Sequence, residues 1–156
     1  MTSAIARKLA SHWGQDPTTE RGASLAAVSQ FESSYQVRLP RDMRDYLLQR
    51  DGTGTHWPGD QDAKGFSFWQ LAQIRPVNEE LGAHGMPAAE DLKDYFVFAD
   101  FGTWLWAYAI RLDDGRSTSN RVVLIGNDKS IHIADSFEEF VELYVHDSAR
   151  TYGGLR

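Results

Sequence analysis

The segment from Tyr95 to Tyr144 decides the fold. It opens with YFVFADFGTWLWAYAIRLDDG (residues 95–115) and closes with RVVLIGNDKSIHIADSFEEFVELY (residues 121–144). Two aromatic-rich stretches flank the turn signal Asp113-Asp114-Gly115, and two shorter apolar stretches follow. Asp100-Phe101-Gly102 is predicted as the turn between the first two strands. The pattern therefore predicts four strands, which are Tyr95–Ala99, Trp104–Leu112, Val122–Ile125 and Ser130–Ala134.

The second of these strands has a two-residue period. Large side chains from Trp104 to Leu112 alternate with Leu105, Ala107, Ala109 and Arg111. Since successive side chains of a strand point to opposite faces, one face is expected to pack into a core. The other face is expected to be thinly covered or to meet a neighbour.

A capped helix follows the strands. Ser136 with Glu139 three residues later forms a capping-box signature. The positions behind it carry an apolar stripe at helical spacing, made of Phe137, Phe140, Val141, Tyr144 and Val145.

Three helices are predicted before the strands. They span about Met1–Trp13, about Ser24–Tyr35, and a third segment that starts near Pro40 and ends at Asp51-Gly52. On the third helix, Arg41, Arg44 and Arg50 are expected outside. Helices, then a block of antiparallel strands, then one helix predict an α+β fold with a central, mostly antiparallel sheet.

Composition limits the classes of protein. At 156 residues with 42% hydrophobic residues, the chain is expected to be a single domain, 1–156, with a real core. It has no apolar run of membrane-spanning length and no secretory signal pattern. It also has no cysteine, which excludes disulfides and thiolate metal sites. A monomer in the cytoplasm is the expectation.

The net charge of −6 is unevenly distributed. Residues 1–50 carry seven Lys and Arg against five Asp and Glu, whereas residues 51–156 carry nine against seventeen. An acidic surface repels nucleic acid and attracts basic partners, although many acidic domains carry such charge for solubility alone.

No catalytic or metal-binding motif is assembled. The five histidines show no i+2, i+3 or i+4 pairing, and no nucleophile elbow is present. We therefore expect neither enzyme activity nor a cofactor or metal. The alternative of a hydrolytic enzyme would need a ligand or metal among His56, Asp60, Asp62 and His84.

Trp57 and the acidic loops are the candidate binding residues. Trp57 lies in a polar loop, where it either forms a hot spot for a basic partner or folds back over the sheet. The predicted partner-binding set is Trp57, Asp60, Asp62, Glu79, Glu80, Asp113 and Asp114.

The order of these segments resembles the SUKH superfamily, which includes the Smi and Knr regulators. The resemblance covers about residues 24–144. It is carried by Phe31-Glu32, Leu39-Pro40, Tyr46-Leu47, Gly52, Phe98-Ala99-Asp100, Gly102 and Ser136-Phe137 with Phe140. Asp51 stands where the family often has Asn.

The resemblance implies function as well as fold. Bacterial members of the superfamily are mainly immunity proteins that bind and neutralise polymorphic toxins, often nucleases, and eukaryotic members are regulatory adaptors. It implies a protein partner. The acidic charge makes a basic toxin domain the expected partner and argues against nucleic acid, and the absence of a long apolar run argues against a membrane partner. A regulatory adaptor without a toxin partner remains the alternative.

Overall fold

The computed structural model describes residues 3–16, 18, 21–53, 61–116, 119–126 and 129–153. In these residues the α+β prediction is confirmed. The helices are α1 (Ala4–His12), α2 (Leu25–Tyr35), α3 (Arg41–Gln49), α4 (Val77–Ala83) and α5 (Phe137–Val145), with 3₁₀ turns at Glu90–Leu92 and Ala149–Tyr152. The strands are β1 (Phe66–Phe68), β2 (Arg75–Pro76), β3 (Tyr95–Phe101), β4 (Trp106–Arg111), β5 (Val122–Gly126) and β6 (Lys129–Ala134).

The strands form one sheet in which every pairing is antiparallel. Its order is β1-β3-β4-β5-β6, and β2 pairs with another part of β3. Two predicted strand boundaries shift by two residues, and three others shift by one. Asp100 and Phe101 belong to β3 and not to the turn after it. β4 begins only at Trp106, because Thr103 and Trp104 adopt left-handed backbone angles that a strand cannot contain.

The main core lies between the sheet and the helices α1, α2, α3 and α5. Phe140 is fully buried, and its ring centroid lies 5.0 Å from that of Tyr108 on β4 and 5.3 Å from that of Phe98 on β3. The Ser136 hydroxyl accepts the Glu139 backbone N–H at 3.0 Å, as the capping signature predicts. The capped helix therefore presents its stripe to the centre of the sheet.

The second face of the sheet is also buried. Ala107 and Ala109 are fully buried in a smaller cluster with Val77 and Leu81 of α4 and with Leu92. The expectation of a thinly covered face is therefore corrected. Alanines leave room for an element to approach closely, and α4 with the segment behind it occupies that room. Sequence analysis did not predict α4.

Arg50 is buried instead of exposed. Arg50 is only 2% exposed, and its guanidinium donates to the Gln15 Oε1 at 2.7 Å and to the Asp16 carbonyl at 3.1 Å. Helix α3 ends at Gln49, and Arg50 leaves helical geometry with φ −127°. The exposed stripe expected for α3 therefore does not extend to Arg50, which instead holds the chain after α1 in place.

Among the described residues, no helix has both the length and the apolar character needed to span a bilayer.

Candidate functional site

A strained turn joins β3 to β4. Gly102, Thr103 and Trp104 all have left-handed backbone angles, with φ values of 60°, 59° and 68°. This conformation is unfavourable for residues with a Cβ, so the surroundings must hold it. Asp100 does so, because its Oδ1 accepts the Trp104 backbone N–H at 3.1 Å while its Oδ2 accepts the Trp69 indole N–H at 2.7 Å.

Glu80 holds the side chain of Trp104. The Trp104 indole N–H donates to the Glu80 Oε1 at 3.2 Å, and the His84 Nε2 lies 3.1 Å from the same oxygen. The other Glu80 oxygen accepts from the Arg75 guanidinium. The His84 ring also packs on Trp104, with 5.4 Å between centroids. Trp104 is thus fixed at its backbone by one buried carboxylate and at its indole by another.

These two carboxylates have opposite pKa shifts. Burial raises the pKa of Asp100, and the charge of Glu80 adds to this, against the hydrogen bonds from Trp69 and Trp104. Burial also works to raise the pKa of Glu80, but its hydrogen bonds to Arg75 and His84 outweigh that and leave the pKa below its ordinary value. Glu80 is therefore stabilised as an anion, whereas Asp100 has no cation beside it among the described residues.

The turn borders an apolar groove of about 560 Å³ between the end of α4 and the sheet. Leu105 is 63% exposed and Met86 is 40% exposed, and both line this groove. Leu25 is the only other large hydrophobic residue exposed to this degree in the described part of the chain. Grouped exposed apolar side chains typically mark an interaction site. The apolar lining also includes Leu81, Leu92, Trp104 and Ile125.

Two charged side chains line this groove. Asp91 lines it from the segment after α4, and Lys129 lines it from the start of β6. Within the described ranges, neither side chain forms an ion pair or a side-chain hydrogen bond. An apolar centre with charged residues at its border is the usual organisation of a protein-binding surface.

A family model described as SMI1 / KNR4 family (SUKH-1) matches residues 22–143, which is most of the chain. The chain belongs to the SMI1/KNR4 family. The match confirms the resemblance stated from sequence. No curated protein matches the chain. The matched span of this SMI1/KNR4 chain starts before α2 and ends within α5, so it includes the whole sheet, the Trp104 turn and the groove.

Some predicted partner-binding residues of the SMI1/KNR4 chain have internal roles. Trp57 and Asp60 lie outside the described residues. Asp62 is half-buried, and its Oδ1 accepts the backbone N–H groups of Lys64 at 2.8 Å and Phe66 at 2.9 Å. Its second oxygen accepts the Tyr144 hydroxyl. Asp62 therefore closes the turn before β1 and joins it to α5.

The two neighbouring glutamates of α4 differ in burial. Glu79 is exposed, whereas Glu80 is only 5% exposed. Helix α4 turns Glu80 inward, where its carboxylate contacts Arg75, His84 and Trp104. Sequence reasoning treated the pair as one acidic group, because nothing local to the sequence distinguishes them.

Asp113 and Asp114 line a second cleft of about 530 Å³ with Tyr35 and Asp94. Both carboxylates are already engaged. Asp113 pairs with Arg111 at 2.9 Å, and Asp114 pairs with Arg116 at 2.8 Å. The structure therefore does not bring the predicted acidic set together on one surface.

No cluster of three or more His, Asp or Glu side chains with metal-binding geometry occurs in the described residues. His56 and Asp60, which the enzyme alternative needs, lie outside them.

Sequence reasoning missed the groove, although one signal for it was present. At the alternate positions of the predicted strand, Leu105 is the one large apolar residue beside Ala107 and Ala109. The alanines are covered by α4, while Leu105 extends beyond that cover.

Proposed function

We propose that this SMI1/KNR4-family chain is a protein-binding module of the immunity type, which binds and neutralises a toxin protein. Family membership supports a binding role, and the groove supports a site for it. The observation that carries the proposal is the group of exposed apolar side chains, Leu105 and Met86, beside an immobilised Trp104. Hot spots of protein interfaces are typically such fixed aromatic residues in an apolar centre.

The acidic charge favours a basic toxin domain, such as a nuclease. A nuclease needs a basic cleft for its substrate, and an acidic protein covering that cleft excludes nucleic acid. Glu79 and Asp114 are the exposed residues of the predicted acidic set, and in this proposal they contribute to the attraction from separate parts of the surface. The protein acts in this proposal as a cytoplasmic monomer, without a cofactor and without enzyme activity.

The regulatory adaptor is the second candidate. It fits the same family and the same groove, but its partner is not a toxin. The two candidates differ in the neighbouring gene, because an immunity protein is expected beside a gene that encodes a toxin domain.

The test is co-expression with the toxin domain encoded next to this gene, scored by cell survival and then by binding kinetics. Leu105→Gln is expected to weaken binding at least tenfold, roughly the effect of 1.4 kcal/mol, mainly through a faster off-rate. Leu25→Gln is the matched control, since both leucines are 63% exposed. The introduced side chain is neutral and is the same in both variants, so charge does not explain a difference between them.

Electrostatic steering is tested separately on the same pair. Association is expected to slow as salt is added, and Glu79→Lys with Asp114→Lys should lower the on-rate. Asp62→Lys suits this test less, because its carboxylate bonds backbone N–H groups. Trp57→Ala remains predicted to raise the off-rate. Tight binding with an association rate that does not depend on salt would reject the acidic-surface model. Absence of protection in the survival assay would favour the adaptor.

A further inference from the structure

We infer that the groove beside Trp104 receives an arginine side chain of the protein partner, with the guanidinium stacked on the Trp104 indole and facing Asp91. The inference rests on the proposed function in one respect, that the partner is a protein. It adds the chemistry that this partner must present.

The electrostatics at Trp104 favour a cation. Its indole N–H donates to the Glu80 carboxylate and its backbone N–H donates to the Asp100 carboxylate. Arg75 balances the charge of Glu80, but no described cation balances that of Asp100. Asp100 is only 7% exposed, and a buried charge without a counter-ion is costly. A cation on the indole face gains the attraction of the ring and lowers this cost.

The aromatic and apolar lining of the groove favours arginine over lysine. A guanidinium is planar, stacks on aromatic rings and is less strongly hydrated than an ammonium. The methylene stem of arginine packs on apolar surface, which Leu105 and Met86 supply. Methionine also adapts its shape to an incoming group.

The charges at the groove set the direction of the arginine. Asp91 and Lys129 line the same groove and are both unpaired within the described ranges. The guanidinium is attracted to the Asp91 carboxylate and repelled by the Lys129 ammonium. The cleft at Asp113 and Asp114 offers less to an incoming cation, because Arg111 and Arg116 already pair with these carboxylates.

The probe for the test is N-acetyl-arginine amide, titrated into the ¹⁵N-labelled full chain and followed by NMR. The indole signal of Trp104 is assigned by its loss in Trp104→Phe. We expect saturable shifts at this indole and at the Leu105 amide. N-acetyl-citrulline amide is the matched probe, because it has nearly the same shape and no charge. It should bind at least about twofold more weakly, which is the low end of a cation–π contribution.

Two protein variants test which carboxylate attracts the arginine probe. Asp91→Asn is expected to weaken binding of the arginine probe about two- to fivefold, as for an exposed ion pair. Glu138→Gln on α5 is the control outside the groove and should leave binding of the arginine probe unchanged. Both residues are exposed, so both variants should fold, which circular dichroism checks.

Each contrary result overturns the inference. These results are the absence of saturable shifts at Trp104, equal binding of the citrulline probe, and no effect of Asp91→Asn. Cell survival separates this inference from the proposed function. If the chain protects cells but does not bind the arginine probe, the arginine is rejected as the occupant of the groove and the immunity role stands. If the chain binds the probe but does not protect cells, the immunity role is rejected and the arginine site stands.

Discussion

The carboxylate of Asp100 accepts the backbone N–H of Trp104 at 3.1 Å, and this bond closes the left-handed turn between β3 and β4. Asp100 lies in the FADFG segment that carried the family resemblance, and it is buried at the end of β3. A residue that marks the fold thus also positions the aromatic side chain of the candidate binding groove. The same carboxylate accepts the Trp69 indole, so two tryptophans depend on it.

Asp100→Asn is expected to change how stability depends on pH. Because burial raises the folded-state pKa of Asp100, this group favours the folded state below its unfolded pKa, and that contribution is lost as pH rises through the folded value. Asparagine does not titrate, so the stability of the variant does not fall in this way as pH rises. Urea unfolding from about pH 4 to pH 7 should show the variant gaining stability relative to the parent chain. A difference that is constant with pH would contradict the raised pKa.

Glu80→Gln is expected to show the opposite dependence. Although burial opposes ionisation, hydrogen bonds from Arg75 and His84 keep the folded-state pKa below its ordinary value. The stabilisation is therefore present above the unfolded pKa and is lost as pH falls through the folded one. At neutral pH the variant should be about 1–3 kcal/mol less stable, because a buried hydrogen-bond network loses a partner. The cost should shrink in acid. The variant of the exposed neighbour, Glu79→Gln, should cost far less at neutral pH.

Phe140→Ala tests the packing of α5 on the sheet. The side chain is fully buried among aromatic rings of β1, β3 and β4, so its removal leaves a cavity. We expect a loss of about 3–5 kcal/mol in the free energy of unfolding, measured with denaturant. Leu25→Ala, at an exposed helix position, should cost far less. Equal losses in the two variants would show that α5 does not supply the core.

Gly52→Ala tests the close approach after α3. Gly52 has φ +87°, and a Cβ there would lie 2.6 Å from the Phe68 carbonyl oxygen. Backbone cannot yield as a flexible side chain does, so a marked drop in melting temperature is expected. Gly82→Ala is the control, because a Cβ at this helical position meets nothing within 4 Å. It should be neutral or stabilising, by up to about 1 kcal/mol.

Much of the fold could be predicted because its signals are local. The two-residue period marked β4, Ser136 with Glu139 marked the start of α5, and Asp51-Gly52 marked the end of α3 to within two residues. Each signal depends on residues that are neighbours along the chain, so no knowledge of the tertiary structure is needed to interpret it.

The candidate site was hidden from sequence reasoning because its contacts are distant along the chain. Trp104 bonds to Glu80, which lies 24 residues earlier, and Asp100 bonds to Trp69, which lies 31 residues earlier. The difference in burial between Glu79 and Glu80 arises only when α4 packs on the alanine face of β4. The local sequence pattern grouped these glutamates because both are acidic. Only the tertiary structure shows that Glu79 is exposed and Glu80 is buried.

The sequence by itself determined the α+β class, the strand block, the cap of α5 and the family. Only the tertiary structure decided that Arg50 and Glu80 are buried, that Asp62 serves a turn, and that Trp104 and Leu105 border a groove. The physical reason is that periodicity and capping arise from short-range geometry of the backbone. The environment of a charged or aromatic side chain, in contrast, is set by whichever distant element packs against it.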